Sequence, residues 1–381
     1  KNLQPEIQEL WSVKNTVIEK LEEASSFLKD NFFFYINCYN YSMSKMNVLI
    51  AGATGYLGIE LIKILAKHKK VKIKYLCGNS SVGKKITDFD KSIKYNLPLI
   101  TKITKSRINE CDIIFSALPN GEAQSISKNL KKHNVLIDLS GDFRLKSSKE
   151  YLKWYKKKHS AVSNIKKSVY NLPELSNLKL KNYQIISCPG CYPTSILIPL
   201  IPVLKKNLIN NKDITIDSKS GYSGAGKNFK KKFKHKNLFS SAYAYSVNNH
   251  RHTCEIDQEI YRQTKKKIIY SFNPHLLPTF RGMLSSIYIK TKKNVKPETI
   301  RSVLLHFYKN SKFIKILKLN SQIGSGNVIN TNNCEISICK TKIRNKIVIF
   351  SAIDNLMKGA AGQAVQNMNL IYNFSEKAGL K

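Results

Sequence analysis

Long apolar runs are missing from this 381-residue chain, and so are the compositional biases of fibrous or disordered proteins. No stretch reaches the roughly 20 uninterrupted apolar residues that a membrane-spanning helix needs. The aromatic run Phe32 to Tyr35 is soon followed by Asn and Ser. Glycine (17) and proline (11) are few and scattered, while apolar residues make up 42%. These features exclude a collagenous or low-complexity chain and predict a globular protein with no membrane-spanning role.

Acidic residues and arginine are both scarce. The chain has 25 acidic against 64 basic residues, a formal net charge of +39, and only seven of the basic residues are Arg. Base-specific nucleic-acid recognition favours the bidentate contacts of Arg, and no nucleic-acid-binding pattern interleaves aromatic residues with the Lys runs. We attribute the charge to an AT-rich coding bias and predict no nucleic-acid partner. Small anionic ligands are the alternative partners that this charge allows.

The eight cysteines follow no regular spacing, and no secretory signal precedes them. This pattern is typical of reduced thiols in a cytoplasmic protein. Cys188 and Cys191 form a C-x2-C pair, but a structural zinc site needs a second pair or two His at regular spacing. Cys334 and Cys339 do not supply it, because side chains five apart in a strand-like run point to opposite faces. We predict no metal site.

A glycine-rich turn follows the first apolar strand of the main body. The strand 47–51 runs into Gly52-Ala-Thr-Gly-Tyr-Leu-Gly58, and a helical pattern begins at Ile59. Glycine permits a tight turn close to a pyrophosphate, and the following helix offers free N–H groups. A strand before and a helix after favour dinucleotide binding over a purely structural turn. The residues that we expect to contact the cofactor here are Gly52, Thr54, Gly55, Tyr56 and Gly58.

The loop after the second strand indicates which dinucleotide binds. An NAD site usually carries Asp or Glu there for the ribose 2′-hydroxyl. Here Cys77-Gly-Asn-Ser-Ser-Val-Gly-Lys-Lys85 contains no acid, and the first carboxylate is Asp88. The hydroxyls, Ser80 among them, and the two Lys suit a 2′-phosphate, so we favour NADPH/NADP as the cofactor. The alternative is that any short polar loop in a Lys-rich chain has this composition.

Strands alternate with helical segments up to residue 190, which predicts a parallel sheet. The predicted fold class is α/β, with a Rossmann-like parallel-sheet dinucleotide-binding domain followed by a second, α+β domain. We assign 46–190 to the first domain, completed by the C-terminal helix 354–381, and 191–353 to the second. A continuous helical pattern covers 354–373. Residues 1–45 are expected to form a separate appendage, helical or poorly ordered.

Ser187-Cys-Pro-Gly-Cys-Tyr-Pro-Thr194 places Cys191 after a strand and a Pro-Gly turn, where Pro193 suits the first turn of a helix. A thiol at a helix N-terminus is stabilised as the thiolate, which is the nucleophile. Such a thiolate beside a nicotinamide can hold an acyl group as a thioester during hydride transfer. Cys188 either forms a redox pair with Cys191 or fills a small buried space, and we favour the second interpretation.

Asn249-His-Arg-His-Thr-Cys-Glu255 places two His around an Arg ahead of a helix. A thiol nucleophile needs a proton acceptor and later a donor, and imidazole serves near neutral pH. In an extended segment His250 and His252 face the same way, so periodicity does not choose between them. Arg251 and Arg281 can bind a carboxylate or a phosphate in bidentate fashion. For Arg281, a plain surface turn is an equal alternative.

Nine sequence motifs together resemble those of the N-acetyl-γ-glutamyl-phosphate reductase family of the aspartate-semialdehyde-dehydrogenase superfamily. In chain order they are GATGYLG, SALPNGEAQ, DLSGDFRL, YNLPEL, CPGCYPT, SGAGK, HRHTCEI, PHLLPTFRGM and DNLMKGAAGQAVQNMN. The resemblance covers about Met46 to the C-terminus. It implies an NADPH-dependent oxidoreductase of arginine biosynthesis that converts a small acyl phosphate, N-acetyl-L-glutamyl 5-phosphate, into the 5-semialdehyde. We expect a homo-oligomer, either a dimer or a tetramer.

The resemblance implies a role for each matching residue. Cys191 matches the family nucleophile, and His250, the first His of the HRH string, is implied as the acid/base. Ser223 and Gly224 match a segment close to the cofactor, and Asn355 begins the segment that returns to the nicotinamide. The implied substrate-binding residues are Arg144, Arg251 and Arg281.

Three positions depart from the family pattern: Cys188 replaces an Asn, Asn79 replaces an Arg in the second-strand loop, and Cys254 replaces a Pro. The change at Asn79 weakens the argument for a 2′-phosphate. The Lys-rich segment 227–236 is either a lid or a solvated insert. The nearest alternative is a related acyl-phosphate reductase that acts on a carrier-protein-linked amino-adipyl phosphate or on aspartyl phosphate. A non-catalytic NADP sensor and a basic RNA-binding protein are alternatives of other classes.

Overall fold

The computed structural model describes residues 15–25, 45–227, 237 and 239–381. Its contacts divide the chain into two compact units, Lys1–Lys45 and Met46–Lys381. In the first unit an exposed helix, α1, covers 15–25, and the rest of the predicted appendage lies outside the described residues. The Lys-rich segment 227–236, interpreted as either a lid or a solvated insert, also lies outside them, apart from Lys227. No helix in the described ranges is long and apolar enough to cross a membrane.

Seven parallel strands form the first sheet of the Met46–Lys381 unit, in the order β3-β2-β1-β4-β5-β7-β6. Its central strands are apolar on both faces because a separate buried core lies on each side. This confirms the predicted Rossmann-like parallel sheet. The strands are β1 Met46–Ala51, β2 Val71–Cys77, β3 Ile100–Thr101, β4 Ile113–Ser116, β5 Val135–Asp138, β6 Ser168–Tyr170 and β7 Ile185–Ser187, and the helices between them are α2 Tyr56–Leu65, α3 Lys105–Asn109, α4 Glu122–Ser127, α5 Ser148–Tyr155 and α6 Val162–Ile165.

The second sheet is mixed, and its strand order is β12-β13-β14-β11-β8-β10-β9. Its central strand β11 runs antiparallel to both neighbours, whereas β8 and β10 are parallel. This confirms the predicted α+β half. The strands are β8 Ile209–Gly221, β9 Tyr243–Ala244, β10 Tyr270–Leu277, β11 Met283–Thr291, β12 Ile314–Ile316, β13 Cys334–Lys340 and β14 Lys346–Ile353. The helices are α7 Cys191–Lys205, α8 Thr253–Thr264 and α9 Pro297–Phe307, and short 3₁₀ helices cover Ile86–Asp88, Pro173–Leu175, Leu180–Asn182, Tyr222–Ala225 and Ser325–Val328.

The C-terminal segment differs from the single helix that the pattern over 354–373 predicts. A π-helical turn, Met357–Ala361, precedes the α-helix α10, Gly362–Ile371. In that turn the amide of Gly359 donates to the carbonyl of Asp354, five residues back instead of four. Such a turn leaves the apolar pattern helical in appearance, so the sequence alone does not reveal it. Single π turns within helices are frequent at functional sites.

Helix α10 packs back against the first sheet. Ala364, Val365 and Met368 share a buried core with Val48 and Ile50 of β1. The C-terminal segment therefore runs from the second sheet, through β14, to the first sheet. The boundaries of the two predicted domains stay a prediction, because the contacts hold Met46–Lys381 together as one compact unit.

Helix α7 connects the two halves and is buried from Tyr192 to Leu204. It begins at Cys191, with Gly190 as an extended N-cap (φ −68°, ψ 161°). Pro193 lies in the first turn, where a missing N–H costs no hydrogen bond. The last strand before it, β7, belongs to the first sheet, whereas the helix contacts strands β8, β11 and β14 of the second. The first residue of α7 therefore lies at the junction of the two sheets.

Candidate active site

The glycine turn between β1 and α2 lies tightly against the first sheet. Gly52 has a left-handed backbone (φ 84°), and a Cβ there would lie 2.6 Å from the carbonyl oxygen of Ala117. A Cβ at Gly58 would clash with the Gly52 carbonyl. Gly55 caps the ten-residue helix α2 without a side-chain bond, and the first turn of α2 carries no acidic residue. The backbone of this turn can therefore approach an anion, as pyrophosphate binding requires.

Two other residues of the glycine turn contact the second half of the molecule. The Lys227 ammonium donates to the carbonyl of Thr54 and lies 5.4 Å from the ring centroid of Tyr56. The Tyr56 ring also meets Phe280 edge-to-face, with centroids 5.2 Å apart. Residues that follow β8 and β10 thus close around the turn that we expect to hold the cofactor.

Asn355 joins three segments that are distant in the sequence. Its Nδ2 donates to the Ser223 hydroxyl at 2.9 Å, and its Oδ1 accepts from the Gly282 amide at 2.8 Å. A Cβ on Gly224 would lie 3.7 Å from the same Nδ2. The structure therefore brings together Ser223, Gly224 and Asn355, three of the predicted cofactor residues.

The loop after β2 presents polar groups without a carboxylate. Ser80 is exposed there, and no acidic residue occurs between Cys77 and Thr87. Asp88, the first carboxylate beyond the loop, accepts the amide of Lys85 at 3.1 Å. Asp88 lies in the short 3₁₀ helix Ile86–Asp88, beyond this loop.

Cys191 is a half-buried thiol at the first position of α7. Burial raises its pKa to about 11, although the charge of Arg144 and the amides of Tyr192 and Cys191 itself lower it. The thiol is therefore protonated at neutral pH and needs a base before it can attack. The backbone of Gly359 lies directly against it, because a Cβ at 359 would come within 2.7 Å of the Cys191 Cβ.

Cys188 and Cys191 pack into different cores. Cys188 is 1% exposed in the core of the first sheet, and its sulfur accepts from Asn367 Nδ2 of α10 at 3.6 Å. Cys191 packs against the core of the second sheet, and both thiols are free. This arrangement favours the interpretation of Cys188 as a small buried residue. Among the described residues, no group of three or more His, Cys, Asp or Glu is placed to hold a metal ion.

His250 and His252 lie in a turn before α8 rather than in an extended segment, and their ring centroids are 4.7 Å apart. Nδ1 of His250 accepts the His252 amide at 3.1 Å, so the neutral ring carries its proton on Nε2. That Nε2 lies 3.5 Å from the Tyr245 hydroxyl, which is 3.2 Å from the hydroxyl of Tyr192. Burial and the charge of Arg251 lower the pKa of His250 to about 3. His250 is therefore neutral and connected through two hydroxyls to the residue after Cys191.

Arg144 and Glu255 form a buried ion pair, with Nη1 2.8 Å from Oε1. Arg144 also donates to the carbonyls of Leu139 and Cys188, each at 2.9 Å, and its Nη1 lies 3.3 Å from His252 Nε2. The sequence predicts Arg144 as a substrate ligand, but the structure engages its guanidinium with the protein itself. Glu255 was missed as a site residue. Its signal in the sequence is its position in the first turn of α8, three residues after His252.

Arg281 is also engaged within the protein. Its guanidinium lies 3.2 Å from Glu60 of α2 and 2.8 Å from Asp354. Arg251 is exposed, by contrast. Arg144 and Arg281 each pair with an internal carboxylate, whereas the side chain of Arg251, the third arginine predicted to bind substrate, is exposed.

Comparisons with known proteins show the family to which this chain belongs. The family described as semialdehyde dehydrogenase, NAD binding domain matches 47–183, and the family described as semialdehyde dehydrogenase, dimerisation domain matches 191–355. An N-acetyl-gamma-glutamyl-phosphate reductase of Clostridium beijerinckii is 41% identical over 332 residues, which cover 87% of this chain and 96% of that protein. The protein of the same name from Vesicomyosocius okutanii is 42% identical over 88% of this chain and 98% of its own length. The chain belongs to the N-acetyl-gamma-glutamyl-phosphate reductase family.

Solved structures similar to this member of the reductase family share its fold at low identity. Aspartate semialdehyde dehydrogenase II of Vibrio cholerae superposes with a TM-score of 0.63 at 16% identity, over 87% of this chain and 99% of that one. The aspartate semialdehyde dehydrogenase of Candida albicans, solved with NADP, superposes with a TM-score of 0.63 at 15% identity, over 86% of this chain and 99% of that one. The family membership confirms the predicted class: the protein is an oxidoreductase with a domain for a nicotinamide dinucleotide.

We predict that Gly359→Ala lowers kcat/KM at least about tenfold, because the new methyl group must displace Cys191 and small misplacements of reacting groups are costly. Gly326→Ala is the matched control, since a Cβ there meets nothing within 4 Å. Steady-state kinetics and the unfolding temperature of both variants check this. Wild-type kinetics in a folded Gly359→Ala enzyme would show that the contact does not position the thiol.

Proposed function

We propose that this enzyme reductively dephosphorylates N-acetyl-L-glutamyl 5-phosphate to N-acetyl-L-glutamate 5-semialdehyde, the reductive step of arginine biosynthesis, with NADPH. The names of its curated relatives support this substrate. The observation that carries the proposal is the position of Cys191 at the start of α7, against Gly359 and next to Tyr192, whose ring packs on His250. A thiol and a neutral imidazole that both lie beside Tyr192 suit acyl transfer to sulfur.

The residues around the glycine turn fit a dinucleotide. No Cβ can occupy the space at Gly52 without meeting backbone, and the first turn of α2 carries no acid to repel a pyrophosphate. Asn355, held by Ser223 and Gly282, would orient the nicotinamide end. When bound, the reduced nicotinamide supplies a hydride.

Cys191 accepts the acyl group as a thioester and later releases it as the aldehyde. Its thiolate attacks the carbonyl carbon, the carbon–oxygen bond to phosphate breaks, and a thioester forms. The thiol proton passes through the His250 imidazole to the departing group, which leaves as hydrogen phosphate. A hydride from the bound nicotinamide would convert the thioester into a thiohemiacetal oxyanion on Cys191. Its collapse would break the carbon–sulfur bond, release the aldehyde and restore the Cys191 thiolate. The amides of Cys191 and Tyr192, which already favour the thiolate, lie at the helix N-terminus where an oxyanion is stabilised.

We assign the substrate carboxylate to Arg251, since it is exposed and lies beside His250 in the chain. Arg144 and Arg281 then act within the protein, because their guanidinium groups already bind Glu255, Glu60 and Asp354. An anionic substrate would have to break a buried ion pair to reach either of them.

We propose that the chain assembles into a homo-oligomer in the cytoplasm. The match of 191–355 to a dimerisation domain supports the assembly, and seven free thiols among the described residues suit a reducing compartment. Light scattering distinguishes a dimer from a tetramer. Parallel assays with N-acetyl-glutamyl, aspartyl and carrier-protein-linked amino-adipyl phosphates separate the proposed substrate from the related ones.

Cys191→Ser is expected to abolish turnover while leaving NADPH binding nearly intact, because the serine hydroxyl is not ionised at neutral pH and cannot replace the thiolate. Phosphate-dependent oxidation of N-acetyl-glutamate semialdehyde measures the reaction, and fluorescence titration measures NADPH binding. Cys339→Ser is a matched control, since Cys339 is also a partly exposed thiol but lies on β13. More than a small residual rate in Cys191→Ser would remove the thiol from the mechanism.

His250→Asn is expected to lower kcat by roughly 10²–10⁴, the usual loss for a general acid/base. His252→Asn should cost less, because its Nε2 faces Arg144. Since burial holds the pKa of His250 near 3, its imidazole stays neutral as pH falls through the ordinary range near 6.5. The acid limb of kcat/KM should therefore lie well below pH 6.5. A larger loss in His252→Asn would exchange the two roles.

Ser80→Glu is expected to lower kcat/KM with NADPH at least about tenfold, or about 1.4 kcal/mol, and to leave the value with NADH unchanged or higher. A carboxylate in the loop after β2 repels a 2′-phosphate but accepts a ribose hydroxyl. Ser302→Glu, on the exposed side of α9, controls for the added charge. Equal losses with both cofactors would contradict a role of this loop in cofactor choice.

A further inference from the structure

A buried ion pair holds the turn that leads into Cys191. Nε of Arg144 donates to the Cys188 carbonyl at 2.9 Å, and Oε2 of Glu255 accepts the Gly190 amide at 3.0 Å. The two side chains are joined to each other at 2.8 Å. One ion pair therefore binds both ends of the three-residue turn that immediately precedes the nucleophile.

We propose that Arg144 and Glu255 are positioning residues that set both the location and the protonation of the Cys191 thiol. This inference rests on the proposed function, in which Cys191 is the nucleophile. It assigns the pair to the nucleophile itself and not to recognition of the substrate.

The hydrogen bonds of the pair leave little room for another partner. All three guanidinium nitrogens of Arg144 donate within the protein, to two carbonyls and to Glu255. Glu255 also accepts from the Tyr170 hydroxyl at 3.3 Å. A Cβ on Gly190 would lie 2.5 Å from His252 Nε2 and 2.9 Å from Arg144 Nη1. The cluster therefore lies directly on the backbone of the turn, and a shift of either side chain moves that backbone.

Stability alone does not account for such a pair. A buried ion pair adds little net stability, because desolvation offsets most of the attraction. Helix α8 carries a second pair one turn further on, in which the buried Glu259 lies 2.6 Å from Arg262. The Glu259 oxygens bond Arg262 and Gln263 of the same helix, not the turn before Cys191. The second pair thus provides a matched control on the same element.

The two charges act on the thiol with opposite signs. Arg144 favours the thiolate of Cys191, and Glu255 opposes it. The histidines are neutral, because burial lowers the pKa of each. The charged and titratable groups of this cluster come from the loop after β5, from α7, from the segment that leads into α8 and from the first turn of α8: Arg144, Tyr192, Tyr245, His250, Arg251, His252 and Glu255.

The test is the pH dependence of Cys191 alkylation by iodoacetamide in the full-length enzyme without substrate, read by mass spectrometry of the peptide that carries Cys191. Glu255→Gln should lower the apparent thiol pKa by about one unit, because the positive charge of Arg144 is no longer opposed. Arg144→Met should raise it by about one unit. Both variants should lose at least about tenfold in kcat, and Glu259→Gln should match wild type in both measurements.

Shifts in the same direction in the two variants, or shifts no larger than in Glu259→Gln, would overturn the inference. If Arg144→Met does not fold, Arg144→Lys replaces it. Lysine keeps the charge but cannot bond both carbonyls and Glu255 together, so kcat should fall while the thiol pKa stays near the wild-type value. Wild-type kcat in Arg144→Lys would contradict a positioning role. Because alkylation needs no substrate, the two failures can be told apart. Opposite pKa shifts together with full turnover in Cys191→Ser would contradict the proposed function, although the ion pair would still control the protonation of the thiol.

Discussion

The start of helix α7 is the constraint on which both sheets and the candidate site depend. The strand before it, β7, pairs with β5 and β6 in the first sheet, and the helix itself is buried against the second. Only Cys188, Pro189 and Gly190 separate the two elements. Their backbone is bonded to Arg144 and Glu255, so the chain has little freedom where it passes from one half to the other. The position of the Cys191 thiol therefore depends on both sheets, and neither sheet can move independently of the other at this point.

The C-terminal segment forms the opposite side of the same junction. Asp354 accepts the amides of Asn330 and Leu356 and pairs with Arg281. The π turn that follows brings Gly359 against Cys191 before α10 returns to the first sheet. A regular α-helix through these residues would present a different face to the thiol, because the π turn shifts the later residues by one position. The irregular turn is thus explained by the contacts on its two sides.

Charge in this protein has separate consequences at the surface and at the site. The net charge of +39 comes mostly from Lys, and many of these side chains are exposed. Around Cys191 the arrangement is different: one buried cation is paired with one buried anion, and two imidazoles are neutral. The chemistry there depends on a few paired groups at short distance, since charges at the solvated surface are screened within about 8–10 Å.

Local sequence patterns suffice to predict the features that depend on neighbouring residues. The strand–glycine turn–helix at Gly52, the parallel sheet and the position of Cys191 at a helix start all follow from local periodicity and from glycine or proline at fixed offsets. The long-range contacts of the site depend on the tertiary structure. Glu255 bonds the amide of Gly190 across 65 residues, and Arg281 meets Glu60 across 221. No local period encodes which distant carboxylate an arginine will find, and so Arg144 and Arg281 resemble substrate ligands in the sequence although folding commits both to internal ion pairs.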